Sequence, residues 1–275
     1  IKIDLIYRHL KNIIKIMYCE FQRLNEDTEL ISAADISNDG KYIALSNKVV
    51  DGNYCSSFFS LIKILFVNEG KSKVIKNIHV KNIKTLKFFP CSTKLLSVCI
   101  NNKINIINIL DESLLNTAIL HNWCNRLDIF SNGNFIVFGT VFNYAGIWDI
   151  EKGYINYKLI EHDCIVSSIA TFNDQERVVS SSLNKIKIWN YKTVEVIHNL
   201  NGHQGVVNIV RVTPDDSKVI SSATDYRIKI WNTTTGEQIN SYYITDKVIQ
   251  NLYITSNSKN FIVTYSYLQE YTRII

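Results

Sequence analysis

The chain has 275 residues, 46% of them hydrophobic and 11% aromatic, with a formal net charge of +5. The hydrophobic and aromatic content is ample for a packed core. Ten glycines and two prolines are too few for a disordered chain. The modest charge does not require nucleic acid as a partner. The six cysteines form no C-x-x-C pair, and no run approaches a membrane span of about 18 apolar residues. We therefore expect a cytoplasmic protein, with the nucleus as the alternative, and no membrane association.

A repeat of 41 or 42 residues organises most of the chain. Bulky apolar residues recur at this spacing at Leu65, Ile107, Trp148, Trp189 and Trp231. Histidines precede the last four of them by 27 or 28 residues, at His79, His121, His162 and His203. Eleven residues after each histidine stands a turn-forming residue, at Pro90, Asn132, Asn173 and Pro214, and this column extends to Asn38 and Asn257. Three columns in step identify an internal repeat.

Each repeat contains four short strands. In the repeat that begins at His203, the apolar residues fall into runs around 207–212, 219–220, 228–231 and 239–243. Turn formers such as Pro214 and Gly236 separate these runs. Four short strands per repeat of about 42 residues are typical of β-propeller blades. The sequence therefore predicts an all-β propeller of four-stranded antiparallel blades.

The best-preserved repeat resembles the WD-repeat (WD40-type) pattern. The residues that carry the resemblance are His203, Thr213-Pro214-Asp215, Ser221-Ser222, Asp225 and Ile230-Trp231-Asn232. The resemblance runs from about residue 25 to the C-terminus and is weaker in the early repeats, where Leu65 and Ile107 stand in place of Trp. In this family His, Ser or Thr, Asp and Trp form a buried, hydrogen-bonded tetrad.

The resemblance implies one complete tetrad, formed by His203, Ser221, Asp225 and Trp231. The Asp position reads Asn101, Asn143 and Asn184 in other repeats, so packing is expected to hold those blades. The residues expected to close the blade cores are Leu65, Ile107, Trp148, Trp189 and Trp231.

The repeats divide residues 25–275 into blades that begin near residues 27, 79, 121, 162, 203 and 246, the last of them incomplete. Residues 1–24 are expected to hold the last strands of a preceding blade, because Ile13 precedes Asp27 by 14 residues, the interval from Trp189 to His203. Six blades result if the N-terminal strand completes the last blade. Alternatively, the chain is a segment of a longer protein whose propeller has seven blades. We favour seven blades because this number is commoner in the family.

Enzyme motifs are nearly absent. The chain contains no H-E-x-x-H, G-x-S-x-G, Walker-type loop or dinucleotide glycine run. Ser182 and Lys185 match S-x-x-K, but this lysine belongs to the repeat. Histidines one blade apart cannot share a zinc ion at ligand distances. We therefore expect no catalysis, no cofactor, no metal and no small-molecule substrate.

The resemblance favours a scaffold that binds other proteins through its top face and rim. The candidate contact residues on that face are Trp123, Tyr144, Tyr226, Arg227 and Tyr54. Tyr54 belongs to an insertion around 47–57, where the first full repeat is about ten residues longer than the others. Exposed aromatic and arginine side chains are the usual anchors of protein interfaces.

Two alternatives remain open from the sequence. Residues 71–103 contain eight lysines and no acidic residue, which is compatible with a nucleic-acid or ribonucleoprotein role. Lysines on outer strands also protect exposed sheet edges. Residues 8–16 resemble the segment after the regulatory helix of protein kinases, so a regulatory propeller fused to a kinase-like domain is the second alternative. No glycine-rich loop, H-R-D or D-F-G follows that segment.

Overall fold

A computed structural model describes residues 30–48, 60–79, 82–120, 123–244, 249–255, 258, 260–265 and 272–274. These residues form β-strands, turns and loops and no helix, which confirms the all-β prediction. The chain divides into two compact units, the first ending at His121 and the second beginning at Asn122.

The first unit contains two four-stranded antiparallel sheets in which consecutive strands pair. Sheet I consists of β1 (Leu30–Ile36), β2 (Tyr42–Lys48), β3 (Ser60–Phe66) and β4 (Lys71–His79). Sheet II consists of β5 (Ile83–Phe88), β6 (Lys94–Cys99), β7 (Lys103–Asn108) and β8 (Leu114–Ile119). The predicted insertion falls between β2 and β3, and its residues 49–59 lie outside the described residues.

The second unit contains three further four-stranded sheets and a three-stranded one. Sheet III consists of β9 (Cys124–Ile129), β10 (Phe135–Thr140), β11 (Tyr144–Asp149) and β12 (Tyr154–Glu161). Sheet IV consists of β13 (Ser168–Thr171), β14 (Arg177–Ser182), β15 (Lys185–Asn190) and β16 (Val196–Asn201). Sheet V consists of β17 (Val207–Val212), β18 (Lys218–Ala223), β19 (Arg227–Asn232) and β20 (Gln238–Tyr243). Sheet VI consists of β21 (Ile249–Ile254), β22 (Phe261–Tyr265) and β23 (Thr272–Ile274). The division of the chain into blades and the number of blades stay predictions.

Both faces of the sheets are buried, as the near-continuous apolar runs of the third strands require. Ile188 and Trp189 of β15 are adjacent and both fully buried, although adjacent strand residues point to opposite faces. The ladder between β15 and β16 shifts register between these two residues, and the β19–β20 ladder does so between Ile230 and Trp231. A bulge therefore marks the closing tryptophan in both sheets.

Neighbouring sheets within a unit share hydrophobic clusters. In the first unit, Ile64 of sheet I packs in one cluster with Ile107 of sheet II. In the second unit, clusters join sheets III and IV, IV and V, and V and VI through Val137 and Trp189, Leu200 and Trp231, and Ile228 and Leu252. Each sheet therefore supplies half of a core and depends on its neighbour for the other half.

The turns between first and second strands also link neighbouring sheets. These turns contain the predicted turn-forming column, with Asn173 between β13 and β14 and Pro214 between β17 and β18. Asp216 accepts hydrogen bonds from the backbone nitrogens of Asn173 and Asp174, both at 2.9 Å. Polar turn residues thus fix the position of one sheet against the next at this end.

Candidate functional site

Four side chains of sheet V form a continuous hydrogen-bonded network. His203 Nδ1 lies 2.8 Å from Asp225 Oδ2, and His203 Nε2 lies 2.8 Å from Ser221 Oγ. Trp231 donates its indole N–H to the same hydroxyl over 2.8 Å. Because an ionised Asp225 only accepts, His203 carries its proton on Nδ1 and Ser221 donates to Nε2. Each donor in this network therefore has an acceptor, as burial demands.

The loop before β17 and the turn before β19 bring His203 and Asp225 together. Gly205 approaches that turn so closely that a Cβ atom there would stand 2.5 Å from the Asp225 backbone nitrogen. The carboxylate also accepts backbone N–H bonds from Gln204 at 3.0 Å and Arg227 at 3.1 Å. A glycine is required for this approach, and Asp225 then joins loop, turn and strand.

The network keeps His203 neutral and Asp225 ionised at neutral pH. Burial lowers the pKa of His203, and the hydrogen bond and charge of Asp225 only partly offset this. Burial raises the pKa of Asp225, but the hydrogen bonds from His203 and the Gln204 backbone outweigh it and bring the pKa below its ordinary 3.8. The pair is therefore a neutral donor on a carboxylate.

Sheet IV contains three members of the same network. His162 Nε2 lies 2.7 Å from Ser180 Oγ, and Trp189 donates its indole N–H to that hydroxyl over 3.0 Å. This network was not expected from the sequence, although Ser180 follows His162 by 18 residues, as Ser221 follows His203. Hydrogen bonds as well as packing therefore hold sheet IV.

The missing member of sheet IV is the carboxylate. The turn between β14 and β15 contains only Leu183 and Asn184, one residue fewer than the turn before β19. Burial, with a smaller contribution from the charge of Lys187, lowers the pKa of His162 to about 4, and Asp163 offsets this lowering only in part. His162 is therefore neutral over the physiological range.

The predicted closing positions are all in the core. Leu65, Ile107, Trp148, Trp189 and Trp231 are each at most 4% exposed. Leucine and isoleucine thus occupy in sheets I and II the place that tryptophan occupies in sheets III to V. The side chains of His79 and His121 lie outside the described residues.

Exposed apolar side chains cluster at the end of sheets III to V that contains the histidine networks. We call them the apolar band: Trp123, Phe142, Ile165, Leu183, Val206 and Tyr226. Three of them precede the first strands, and three lie in the turns between the second and third strands. In an antiparallel meander these two kinds of connection meet at the same end of the sheet.

Backbone hydrogen bonds run along the apolar band from sheet to sheet. The amide of Val141 donates to the carbonyl of Trp123, and that of Val166 donates to Thr140. The amide of Val207 donates to Leu183 over 2.7 Å, and that of Thr224 donates to Val206 over 2.9 Å. The band therefore lies on backbone that is hydrogen-bonded across three sheets.

The predicted contact residues meet different outcomes. Trp123 is 66% exposed, and Tyr226 and Arg227 are also exposed beside Asp225. The prediction for Tyr144 is wrong, because this side chain is 8% exposed and belongs to the core. Asn143 takes the left-handed turn conformation with φ 67°, so Tyr144 already begins β11. Tyr54 lies outside the described residues.

Four members of the band were missed from the sequence: Phe142, Ile165, Leu183 and Val206. For Leu183 the sequence offers a signal, because an apolar residue stands in a turn where it takes a positive φ of 50°. Arg227 stands beside the band, with its guanidinium 5.9 Å from the ring centre of Tyr243.

The described lysines of the lysine-rich stretch are distributed over four strands, β4 to β7, and do not share one sheet edge. Lys71 and Lys73 lie on the outer strand β4, but Lys84 and Lys87 lie on the first strand β5 of sheet II. Lys73 forms an ion pair with Glu112 at 2.9 Å. Edge protection therefore accounts only for the β4 lysines.

Candidate metal sites and membrane-spanning helices are absent from the described residues. That part of the chain contains no group of three or more His, Cys, Asp or Glu side chains that could hold a metal ion. No helix long and apolar enough to cross a membrane occurs within it. The kinase-like segment 8–16 lies outside the described residues.

Comparison with known families bears on the repeat. The family "WD domain, G-beta repeat" matches residues 153–190 and 194–232. These two segments are WD repeats. The two matched segments contain β12 to β15 and β16 to β19, so each WD repeat combines the last strand of one sheet with three strands of the next.

Relatives of this chain are similar over part of their length. Mouse pre-mRNA-processing factor 17 is 24% identical over 161 residues, 56% of this chain and 28% of that protein. The Aspergillus flavus nuclear distribution protein nudF is 32% identical over 97 residues, 33% of this chain and 21% of that protein. The Arabidopsis thaliana protein FIZZY-RELATED 3 is 28% identical over 116 residues, 41% of this chain and 24% of that protein. The matched region thus spans less than a third of each relative.

A solved structure supports the fold. A chain in the crystal structure of the mitotic checkpoint complex superimposes with a TM-score of 0.70 at 16% identity, covering 89% of this chain and 72% of that chain. The superposition confirms the predicted β-propeller fold, and the family match confirms two of the predicted WD repeats.

Proposed function

We propose that this protein is a non-catalytic scaffold that binds another protein through the apolar band. The observation that carries the proposal is the exposure of Trp123 and Phe142 of sheet III and of Tyr226 of sheet V at the same end of their sheets. Aromatic side chains and arginine dominate the binding energy of protein interfaces. Contiguous exposed apolar surface on a soluble domain is typical of an interaction site.

Backbone energetics support a binding role for the turn members of the band. Leu183 and Tyr226 have φ of 50° and 61°. A bulky side chain in the left-handed region costs about 1–3 kcal/mol, a cost that asparagine or glycine would reduce. Neither side chain recovers it by burial, since both are exposed. A partner that covers them supplies the missing favourable contact.

The network below the band gives it rigidity. Tyr226 directly follows Asp225, whose carboxylate is held by His203 and by two backbone amides. A rigid contact residue loses little conformational entropy on binding, which favours affinity. The structural tetrad therefore serves the interaction surface by positioning it and takes no direct part in binding.

Names of relatives are compatible with this proposal. One similar chain belongs to a mitotic checkpoint complex, and one relative is a pre-mRNA-processing factor. Partner identity stays open, and the cytoplasm, with the nucleus as the alternative, stays the predicted location. Nucleic-acid binding through residues 71–103 is less well supported, because Lys73 already pairs with Glu112.

Two triple variants test the scaffold proposal. The first replaces Trp123, Phe142 and Tyr226 by alanine. The matched control replaces Tyr154, Ile197 and Ile239, which are exposed apolar residues on the outer strands. Proteins captured from cell extract by the wild type are identified and compared with those captured by each variant.

The band variant is expected to lose captured proteins that the control variant keeps. Both should unfold within about 0.5 kcal/mol of the wild type, because the replaced side chains are exposed. A photoreactive phenylalanine at position 142 should cross-link to a retained protein, and one at position 154 should not. Identical captured proteins from equally folded variants would refute the proposal.

A further inference from the structure

Arg227 stands at the sheet V end of the apolar band and is exposed, like its neighbour Tyr226. Its guanidinium lies 5.9 Å from the ring centre of Tyr243 and donates to the Ser241 hydroxyl over 3.5 Å. Both contacts are made with strand β20, and neither partner is a carboxylate. Among the residues that the structure describes, no acidic side chain forms an ion pair with this guanidinium.

The nearest acid in the sequence, Asp225, is occupied elsewhere. Its carboxylate contacts His203 Nδ1 at 2.8 Å and accepts from the Gln204 backbone at 3.0 Å. Its other oxygen accepts from the backbone N–H of Arg227 over 3.1 Å. Asp225 therefore fixes the main chain of Arg227 and leaves the side chain without an acidic partner.

The guanidinium is held in place by its neighbouring strand. The ladder between β19 and β20 pairs Arg227 with Tyr243, which places the aromatic ring beside the arginine. A guanidinium over an aromatic ring keeps its in-plane N–H donors available for a carboxylate, which they bind as a fork. The contact with Tyr243 thus positions Arg227 for an acceptor that comes from outside the sheet.

The neighbouring cation does not add a second available charge. Lys229 lies two residues along β19 on the same face, but it is buried and donates to Gln238 Oε1 over 2.5 Å. Phosphorylated segments are usually recognised by clusters of arginines. One available guanidinium therefore fits the single charge of a carboxylate better than it fits a phosphate.

We propose that the partner segment that covers the apolar band carries an aspartate or glutamate whose carboxylate pairs with Arg227. This inference rests on the proposed function, since it names the chemistry of the partner at that same surface. Neighbouring Cα atoms are about 3.8 Å apart, so the acid lies within one or two residues of the apolar residue that contacts Tyr226. The ion pair supplies specificity and register, while the apolar contacts supply most of the affinity.

Selection from a library of random peptides displayed on phage tests this pairing on the full 275-residue chain. The wild type should select apolar peptides with an acid within two residues of an aromatic or aliphatic anchor. Arg227→Glu should select a lysine or arginine in place of that acid. The matched control, Lys152→Glu, makes the same change of charge at an exposed lysine in the turn between β11 and β12, at the opposite end of sheet III, and should select the same peptides as the wild type.

Synthetic forms of one selected peptide, with the acid or with lysine in its place, measure the effect by fluorescence anisotropy. The acidic form should bind the wild type about tenfold more tightly than the lysine form, and Arg227→Glu should reverse this preference. Arg227→Gln removes the charge alone and should bind the two forms within about twofold of each other. This second variant also serves if Arg227→Glu does not fold.

The triple alanine variant of Trp123, Phe142 and Tyr226 separates the two proposals. Peptides that need these side chains but show no preference for an acid would overturn the pairing with Arg227 and leave the scaffold proposal intact. An unchanged preference for the acidic form in Arg227→Gln would do the same. No selected peptide that depends on the band would refute both proposals.

Discussion

Sheets IV and V share one architecture and differ at one acidic side chain. Both place a histidine, a serine and a tryptophan in the same hydrogen-bonded order. Only sheet V adds Asp225, which accepts from His203. The comparison shows that the serine and tryptophan suffice to place the histidine in the structure, whereas the acid determines its electrostatics.

The acid also determines what surrounds the histidine. In sheet V, Asp225 and the Lys229–Gln238 pair fill the space beside the network. In sheet IV the corresponding space is a cavity lined by Lys185 and Lys187.

Replacement of the closing tryptophans should cause the largest loss of stability. The loss should be about the same in sheets IV and V. Trp231→Ala and Trp189→Ala should each reduce the free energy of unfolding by about 3–5 kcal/mol, because each leaves a cavity and removes the indole N–H that donates to the serine hydroxyl. Chemical denaturation measures both. An unchanged midpoint in either variant would contradict the assignment of that residue to the core.

The loss of stability at acid pH should differ between the variants of the two network histidines, His162 and His203. The pKa of His162 lies near 4, below its ordinary 6.5, so the unfolded chain binds the proton first as the pH falls. Stability linked to His162 is therefore complete above pH 6.5 and is lost as the pH falls to about 4. At about 1.36 kcal/mol per pH unit this amounts to about 3 kcal/mol.

Replacement of each histidine measures that difference. His162→Gln should flatten the dependence of unfolding free energy on pH in this window, and His203→Gln should flatten it less, because Asp225 partly offsets burial. His198→Gln is the control, since this ring is partly exposed. An equal dependence of unfolding free energy on pH in all three variants would contradict the proposed difference between the two histidines.

Removal of the acid should cost less than removal of either tryptophan. Asp225→Ala leaves the Nδ1–H of His203 without its acceptor and should destabilise the protein by about 1–3 kcal/mol. Asn184→Ala changes an exposed residue in the sheet IV turn and should stay within about 0.5 kcal/mol. Denaturation of the two variants side by side tests this. A similar cost for both would contradict the role assigned to the carboxylate.

The strands and the core could be predicted because they are periodic. Alternating residues such as Ile186 and Ile188 point to the buried faces, and the closing Trp189 recurs at blade spacing. The tetrad around His203 was expected from the resemblance to the WD-repeat pattern, and its hydrogen bonds are present in sheet V. The periodic pattern of the sequence therefore predicts most of the fold.

Turn geometry was harder to predict than strands. A shift of one residue decides whether a side chain is in the turn or in the strand, and for this reason Tyr144 was wrongly expected to be exposed while Phe142 was missed. The cavity of sheet IV could not be predicted either.

The most direct test of the account is an NMR titration of the two network imidazoles in the wild type and in Asp225→Asn. The account predicts that His162 titrates near pH 4 and His203 at a higher pH. In the variant, His203 should move down toward His162, because the carboxylate that favours its protonated form is gone. A wild-type His162 that titrates at or above His203, or a His203 unaffected by Asp225→Asn, would contradict the account.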